Sequence, residues 1–138
     1  KARYEVLKVL RDQGIPTVVW LDPILPWIND TEENLRGLLD YCIDAHVFGI
    51  ICFGIGLTLR DGNREYFYRK LDQHFPGLKQ KYQKKYGMRY EIRSDHHDRL
   101  MEIFHATCAK HGIVHQNEAI FHYLHTYEPA FSSQLTLF

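Results

Sequence analysis

The chain has 138 residues, 45% hydrophobic and 25% charged, which suits an ordinary soluble domain with its own core. Its 17 basic and 17 acidic residues cancel, so any face for a nucleic acid has to be local. No apolar run approaches the roughly 20 residues of a membrane span and no signal-peptide pattern opens the chain, which predicts no membrane partner and a cytoplasmic location. Cys42, Cys52 and Cys108 are widely spaced among apolar neighbours, the pattern of reduced, buried thiols and not of a disulfide framework. A start at Lys1, inside a helical pattern, reads as a piece of a larger protein.

Tyr4, Val6, Leu7 and Leu10 recur at helical spacing, and Gly14 ends that helix. Pro16 opens Thr17-Val18-Val19-Trp20-Leu21, a run of strand formers without polar alternation, as expected of a strand covered on both faces in a parallel sheet. A loop follows over 22–29. Asp30 and Glu33 predict a capping box, and Leu35, Leu38, Leu39, Cys42 and Ile43 mark the helix behind it. Gly49-Ile50-Ile51-Cys52-Phe53 is a second buried strand. After Gly54-Ile55-Gly56, a polar loop with Thr58, Arg60, Asp61 and Gly62 leads to a helix from Asn63. This helix is expected to bury Phe67, Leu71 and Phe75 and to end at Pro76-Gly77. A basic helix follows from Leu78 to Tyr86, then a short extended piece over 90–93. Leu100, Met101, Phe104 and Cys108 mark a helix ended by Gly112, and Asn117 is the expected cap of a last helix through Leu124.

Helix, strand, helix, strand, helix is the order of a parallel α/β architecture. Two strands are too few for a self-sufficient parallel sheet, whose faces and edges need cover. The pattern leaves two readings: part of a larger sheet, or a small α+β domain. On the first, the exposed edge predicts self-association of the fragment.

The stretch from Gly14-Ile15-Pro16 through Pro23-Ile24-Leu25-Pro26-Trp27-Ile28-Asn29-Asp30 is similar to the late barrel region of radical S-adenosylmethionine (radical SAM) enzymes. Further motifs follow in order: Phe53-Gly54-Ile55-Gly56-Leu57-Thr58-Leu59-Arg60, Asn63-Arg64-Glu65-Tyr66-Phe67-Tyr68, Phe75-Pro76-Gly77-Leu78-Lys79, Tyr86-Gly87 and the terminal Gln-Leu-x-Leu-Phe. That series resembles the spore photoproduct lyase-like (DNA repair photolyase) group, over essentially the whole chain. The resemblance implies an α/β fold: the C-terminal part of a partial (β/α) barrel, with few parallel strands and a helical C-terminal extension. Late βα units would span 1–77, the extension 78–128 and a flexible tail 129–138. It also implies a parent enzyme, linked to DNA repair, that uses a [4Fe-4S] cluster and S-adenosylmethionine. The group holds its cluster through a C-x3-C-x2-C motif, and this chain has no such spacing. The ligands would therefore lie upstream of Lys1, and the fragment alone would bind no cofactor, hold no metal and be inactive. The alternative is a non-catalytic domain that binds nucleic acid or a protein.

Within that frame the loop over 22–29 follows a strand's C-terminal end, where a (β/α) barrel carries its active site. Asp22, Pro23 and Asn29 are the candidate cofactor-pocket wall, against a plainer reading as a rigid connector with turn and cap residues. Thr58, Arg60, Asn63 and Arg64 precede a helix N-terminus and suit a substrate phosphate or carboxylate, unless they are simply a solvated loop. Lys79, Lys81, Lys84 and Lys85, interleaved with Tyr82 and Tyr86, either track a nucleic acid or form a solvated face over inward tyrosines. His105, Cys108 and His111, with His115 beyond, turn too far round a helix for a tight zinc site. Asp95-His96-His97-Asp98 reads as a helix start. No nucleophile motif or phosphate loop is present, so no residue is assigned a catalytic role.

Gln134, Leu135, Leu137 and Phe138 resemble the short peptide with which bacterial repair and replication proteins bind the sliding clamp. The alternative is a tail that packs on the body. If the tail docks, replacing Leu137 and Phe138 by Ala abolishes binding to a bacterial sliding clamp and leaves the thermal midpoint nearly unchanged, because a few apolar anchors carry such contacts. A large loss of stability, with no clamp binding by the native tail, assigns the residues to packing instead.

Overall fold

The computed structural model describes residues 2–126; the clamp-like residues Gln134, Leu135, Leu137 and Phe138 lie outside that span. In chain order the elements are α1 (Ala2–Asp12), β1 (Val18–Trp20), α2 (Glu32–Asp44), β2 (Gly49–Ile51), β3 (Gly56–Thr58), α3 (Asn63–His74), α4 (Leu78–Tyr86), β4 (Glu91–Arg93), α5 (His97–His111) and α6 (Asn117–His125). Among the described residues the architecture is mixed α/β: six helices and two sheets of two strands each. Among the described residues no helix is long and apolar enough to cross a membrane.

β1 and β2 run parallel, with Val18, Val19 and Trp20 opposite Gly49, Ile50 and Ile51. The crossover between them contains α2, so the predicted β–α–β order is real. Val114 adds a parallel bridge beyond β2, where the Ile50 N–H donates to its carbonyl at 2.9 Å. Strand alternation turns Val19 and Ile50 to one face, where they meet Leu35, Leu39 and Cys42 of α2 and Leu100, Ile103, Phe104 and Cys108 of α5. On the other face α6 packs against β2, with Ile120 buried over Gly49.

That second cover stops at β2. The expectation of two covered faces therefore holds for β2, which is buried throughout, and fails for β1, where Val18 and Val19 are half-buried and Trp20 is exposed. In α1, Leu7 packs on the core while Val6 stays exposed, which corrects the predicted apolar face.

A second core forms around a strand pair, one strand of which the sequence reading had not placed. β3 pairs antiparallel with β4, Leu57 opposite Ile92. A Cβ at Gly56 would fall 1.9 Å from the Ile92 carbonyl oxygen, so only glycine lets these strands meet. Behind them Leu59, Tyr68, Leu71, Tyr82, Tyr86 and Ile92 pack together. Phe75 is exposed, against expectation, because α3 ends at His74 and leaves it beyond the buried stripe; Tyr68 takes that role.

The loop over 22–30 joins the two cores. The Tyr82 hydroxyl donates to the Pro26 carbonyl at 2.8 Å, and the Trp27 ring packs edge-on against Tyr82 with centroids 5.1 Å apart. Trp27 has φ 59, which a bulky residue rarely adopts, and its N–H donates to Asp30 at 2.7 Å. Asp30, only 4% exposed, also accepts from the Ser94 hydroxyl. The predicted capping box is therefore not formed. Asp30 is drawn inward, and Thr31 caps α2, accepting from the Asn34 N–H at 3.2 Å.

Alternation also turns the backbone groups of Val18 and Trp20 away from β2, and no other strand pairs with β1 among the described residues. An open strand edge is a template for another chain. Light scattering of the 138-residue chain is expected to show apparent mass rising with concentration; a strict monomer over a wide range refutes this.

Candidate functional site

Parallel α/β folds carry ligands beyond the carboxyl ends of their strands, because loops from neighbouring strands diverge there and leave a crevice. In this chain those ends are Leu21-Asp22 after β1 and Cys52-Phe53-Gly54 after β2. The Asp22 carboxylate accepts from the Phe53 N–H at 3.1 Å, with the Cys52 thiol 3.9 Å from its other oxygen. Burial raises the Asp22 pKa from its ordinary value, while the Phe53 amide, the Trp20 indole and the Cys52 thiol oppose that shift.

Two helix starts fix this geometry. Asn117, at the head of α6, uses its carboxamide as a strand would use its backbone: Oδ1 accepts from the Cys52 N–H at 3.3 Å and Nδ2 donates to the Cys52 carbonyl at 3.1 Å. The expected capping role of Asn117 is corrected accordingly, because Gln116 occupies the cap position. His97, at the head of α5, accepts from the Ile55 N–H at 3.1 Å through Nδ1, which puts the proton of the neutral ring on Nε2. Gly54, at φ 134, permits that approach; a Cβ there would lie 2.8 Å from the imidazole. Beside the carboxylate stand Trp20 and Phe53, 57% and 63% exposed, with ring centroids 5.7 Å apart and Phe121 6.3 Å from each.

Of the predicted pocket-wall residues, Asp22 faces this site. Pro23 is exposed, after a cis Asp22–Pro23 peptide bond. Asn29 turns to its own loop, accepting from the Leu25 N–H through Oδ1, while its carbonyl accepts from Asn34 at 2.8 Å. Thr58, Arg60 and Asn63 are exposed around the start of α3, and Arg60 Nε donates to the Tyr90 hydroxyl at 3.0 Å. Arg64 departs from the expected anion contact. It is 7% exposed, and its Nη2 donates to the carbonyls of Leu59, Met88 and Arg89 at 3.0, 3.2 and 2.9 Å. These bonds tie the loop before α3 to the turn after α4, leaving Arg64 no free face for a phosphate. Along α4 the tyrosines point inward: Tyr82 and Tyr86 are buried, Lys81 lies 4.3 Å above the Trp27 ring, and Lys79 pairs with Asp72 at 2.6 Å.

Among the described residues no group of three or more His, Cys, Asp or Glu side chains could hold a metal. The chain was compared with protein-family models, curated proteins and solved structures, and none of the three comparisons gives a match. Trp20, Phe53, His97, Asn117 and Phe121 escaped the sequence reading as site residues. Two of them, Trp20 and Phe53, carried a usable signal: large aromatics at or just past the end of a strand.

Replacing Asn117 by Ala leaves both backbone groups of Cys52 without their partner. A loss of about 1–3 kcal/mol is expected in urea denaturation, the usual cost of unpaired buried polar groups. A loss within error of zero means that the carboxamide does not hold the strand end.

Proposed function

We propose that this chain is the C-terminal portion of a radical SAM enzyme of the spore photoproduct lyase-like group. In that reading it supplies late βα units of a partial (β/α) barrel and part of the wall of the pocket where cofactor and substrate meet. The observation that carries most weight is the convergence of Asp22, Trp20, Phe53 and Asn117 at the carboxyl ends of β1 and β2, the end at which such folds do their chemistry. The outer edge of β1, which no other strand pairs among the described residues, and the ordered motif series add support. A nucleic-acid or nucleotide-like substrate is part of the proposal and follows from the resemblance, since fold alone does not set function.

The residues present do not fit an iron–sulfur cluster. Cys42, Cys52 and Cys108 are buried among apolar side chains, and among the described residues no three His, Cys, Asp or Glu side chains come together as a cluster would need. Cluster ligation accordingly belongs to another part of the parent, and this chain's contribution is binding and orientation.

Anaerobic reconstitution tests the reading. The isolated chain is expected to stay colourless and to form no 5'-deoxyadenosine, while the parent binds iron and sulfide and cleaves S-adenosylmethionine reductively. A parent without cluster or cleavage ends the enzyme reading and leaves a non-catalytic binding domain; a brown, active fragment shows that cluster ligands lie within these residues.

A further inference from the structure

We propose that His105 and His115 form a two-imidazole site for a late divalent transition-metal ion, zinc foremost, which clips α5 to the segment leading into α6. None of the crevice residues takes part, so this site and the radical SAM reading stand or fail independently.

Along α5 alone, His105 and His111 point too far apart to share an ion. The fold supplies a different partner. Gly112, at φ 66, ends α5 and turns the chain back, Ile113 is buried, and His115 comes to lie beside His105. Their ring centroids are 5.2 Å apart and the planes are tilted by 52°. Stacked rings would lie near parallel, and these do not. Two imidazoles that share one ion, each nitrogen about 2.0–2.1 Å from it and near the tetrahedral angle, have ring centres about 5 Å apart. The observed spacing matches such a pair.

The ring nitrogens provide a second, independent observation. His115 Nδ1 lies 3.0 Å from the Ile113 carbonyl, which can only accept, so in the neutral ring Nδ1 carries the proton and Nε2 the lone pair. Ligating histidines are commonly oriented in this way, with the other N–H held by a backbone carbonyl. Nε2 meets only the carboxamide of Gln116, at 3.3 Å, and that side chain is exposed and free to move aside. His105 is exposed on α5. Phe104, 1% exposed, backs both rings edge-on at 5.2 and 6.0 Å, so the two imidazoles rest on the core. Desolvation, and then His115, lowers the His105 pKa, which favours the neutral form that a metal takes. Among the described residues no third His, Cys, Asp or Glu joins the pair, so water completes the shell. Imidazole donors suit zinc, copper and nickel, whereas magnesium and calcium take oxygen ligands. Zinc leads because the ring spacing fits its tetrahedral preference.

The 138-residue chain is titrated with zinc chloride by calorimetry, with magnesium chloride as the control. Saturable binding of one zinc equivalent is expected, with none of magnesium. His105→Ala and His115→Ala should each weaken zinc at least about tenfold, since even partners of a ligand contribute that much. The double variant should bind no more weakly than the singles, and His122→Ala and His125→Ala, on α6, should leave binding unchanged. If His115→Ala does not fold, His105→Ala, at an exposed position, decides alone. Zinc should raise the thermal midpoint of the native chain, reversibly with a chelator, and not that of His105→Ala. In nitrogen-15 spectra the ring signals of His105 and His115 should be the ones that move. Absence of saturable zinc binding overturns the proposal. So does binding that survives both substitutions, a midpoint that rises equally in His105→Ala, or ring signals that move only at other histidines.

Discussion

Asp30 is a carboxyl group held out of water by donors from two distant parts of the chain: the Trp27 amide within its own loop, and the Ser94 hydroxyl 64 residues on. Ser94 in turn donates its N–H to the Ile55 carbonyl at 3.0 Å and accepts from the His96 N–H at 2.9 Å, so the same few atoms connect the loop after β1, the approach to β3 and the start of α5. A typical hydrogen bond contributes only about 0.5–1.5 kcal/mol net, but a buried group left unpaired costs about 1–3 kcal/mol. That asymmetry explains why the loop over 22–30 takes one conformation, with Trp27 in a left-handed region and its ring on Tyr82 and Tyr86.

The site inherits its order from this joint. Because the loop is stapled on its far side through Pro26, Trp27, Asn29 and Asp30, only its first residue, Asp22, is left to face the crevice. On the β2 side, Asn117 and His97 hold Cys52 and Ile55 by side-chain bonds to backbone, which is how strand ends without strand partners keep a defined shape. The Asp22 carboxylate and the Trp20 and Phe53 rings therefore sit on a frame set by side-chain bonds to backbone.

Arg64 and the cysteines show the same economy in the opposite sense. Residue types that often carry chemistry are here consumed by structure: the guanidinium by carbonyl oxygens, and the thiols by apolar burial that keeps them protonated. Reactivity depends on exposure and neighbours more than on residue type, and neither is visible one position at a time.

The sequence by itself determined the helices, the two parallel strands and the β–α–β order between them, because hydrophobic periodicity and helix-ending glycines act over a few residues and survive in any surroundings. Leu35, Leu39 and Cys42 on α2 and Leu100, Phe104 and Cys108 on α5 were legible as core for the same reason. It did not reveal β3, whose three residues lack periodicity and pair with β4 only through the close approach that Gly56 allows. Nor did it distinguish Asp30 as a buried pin from a helix cap, Arg64 as a clamp from an anion contact, or Asn117 as a bracket from a cap. In each case the side chain could bond locally or at long range, and the outcome was decided by donors and carbonyls more than 20 residues away that only tertiary packing brings within 3.4 Å.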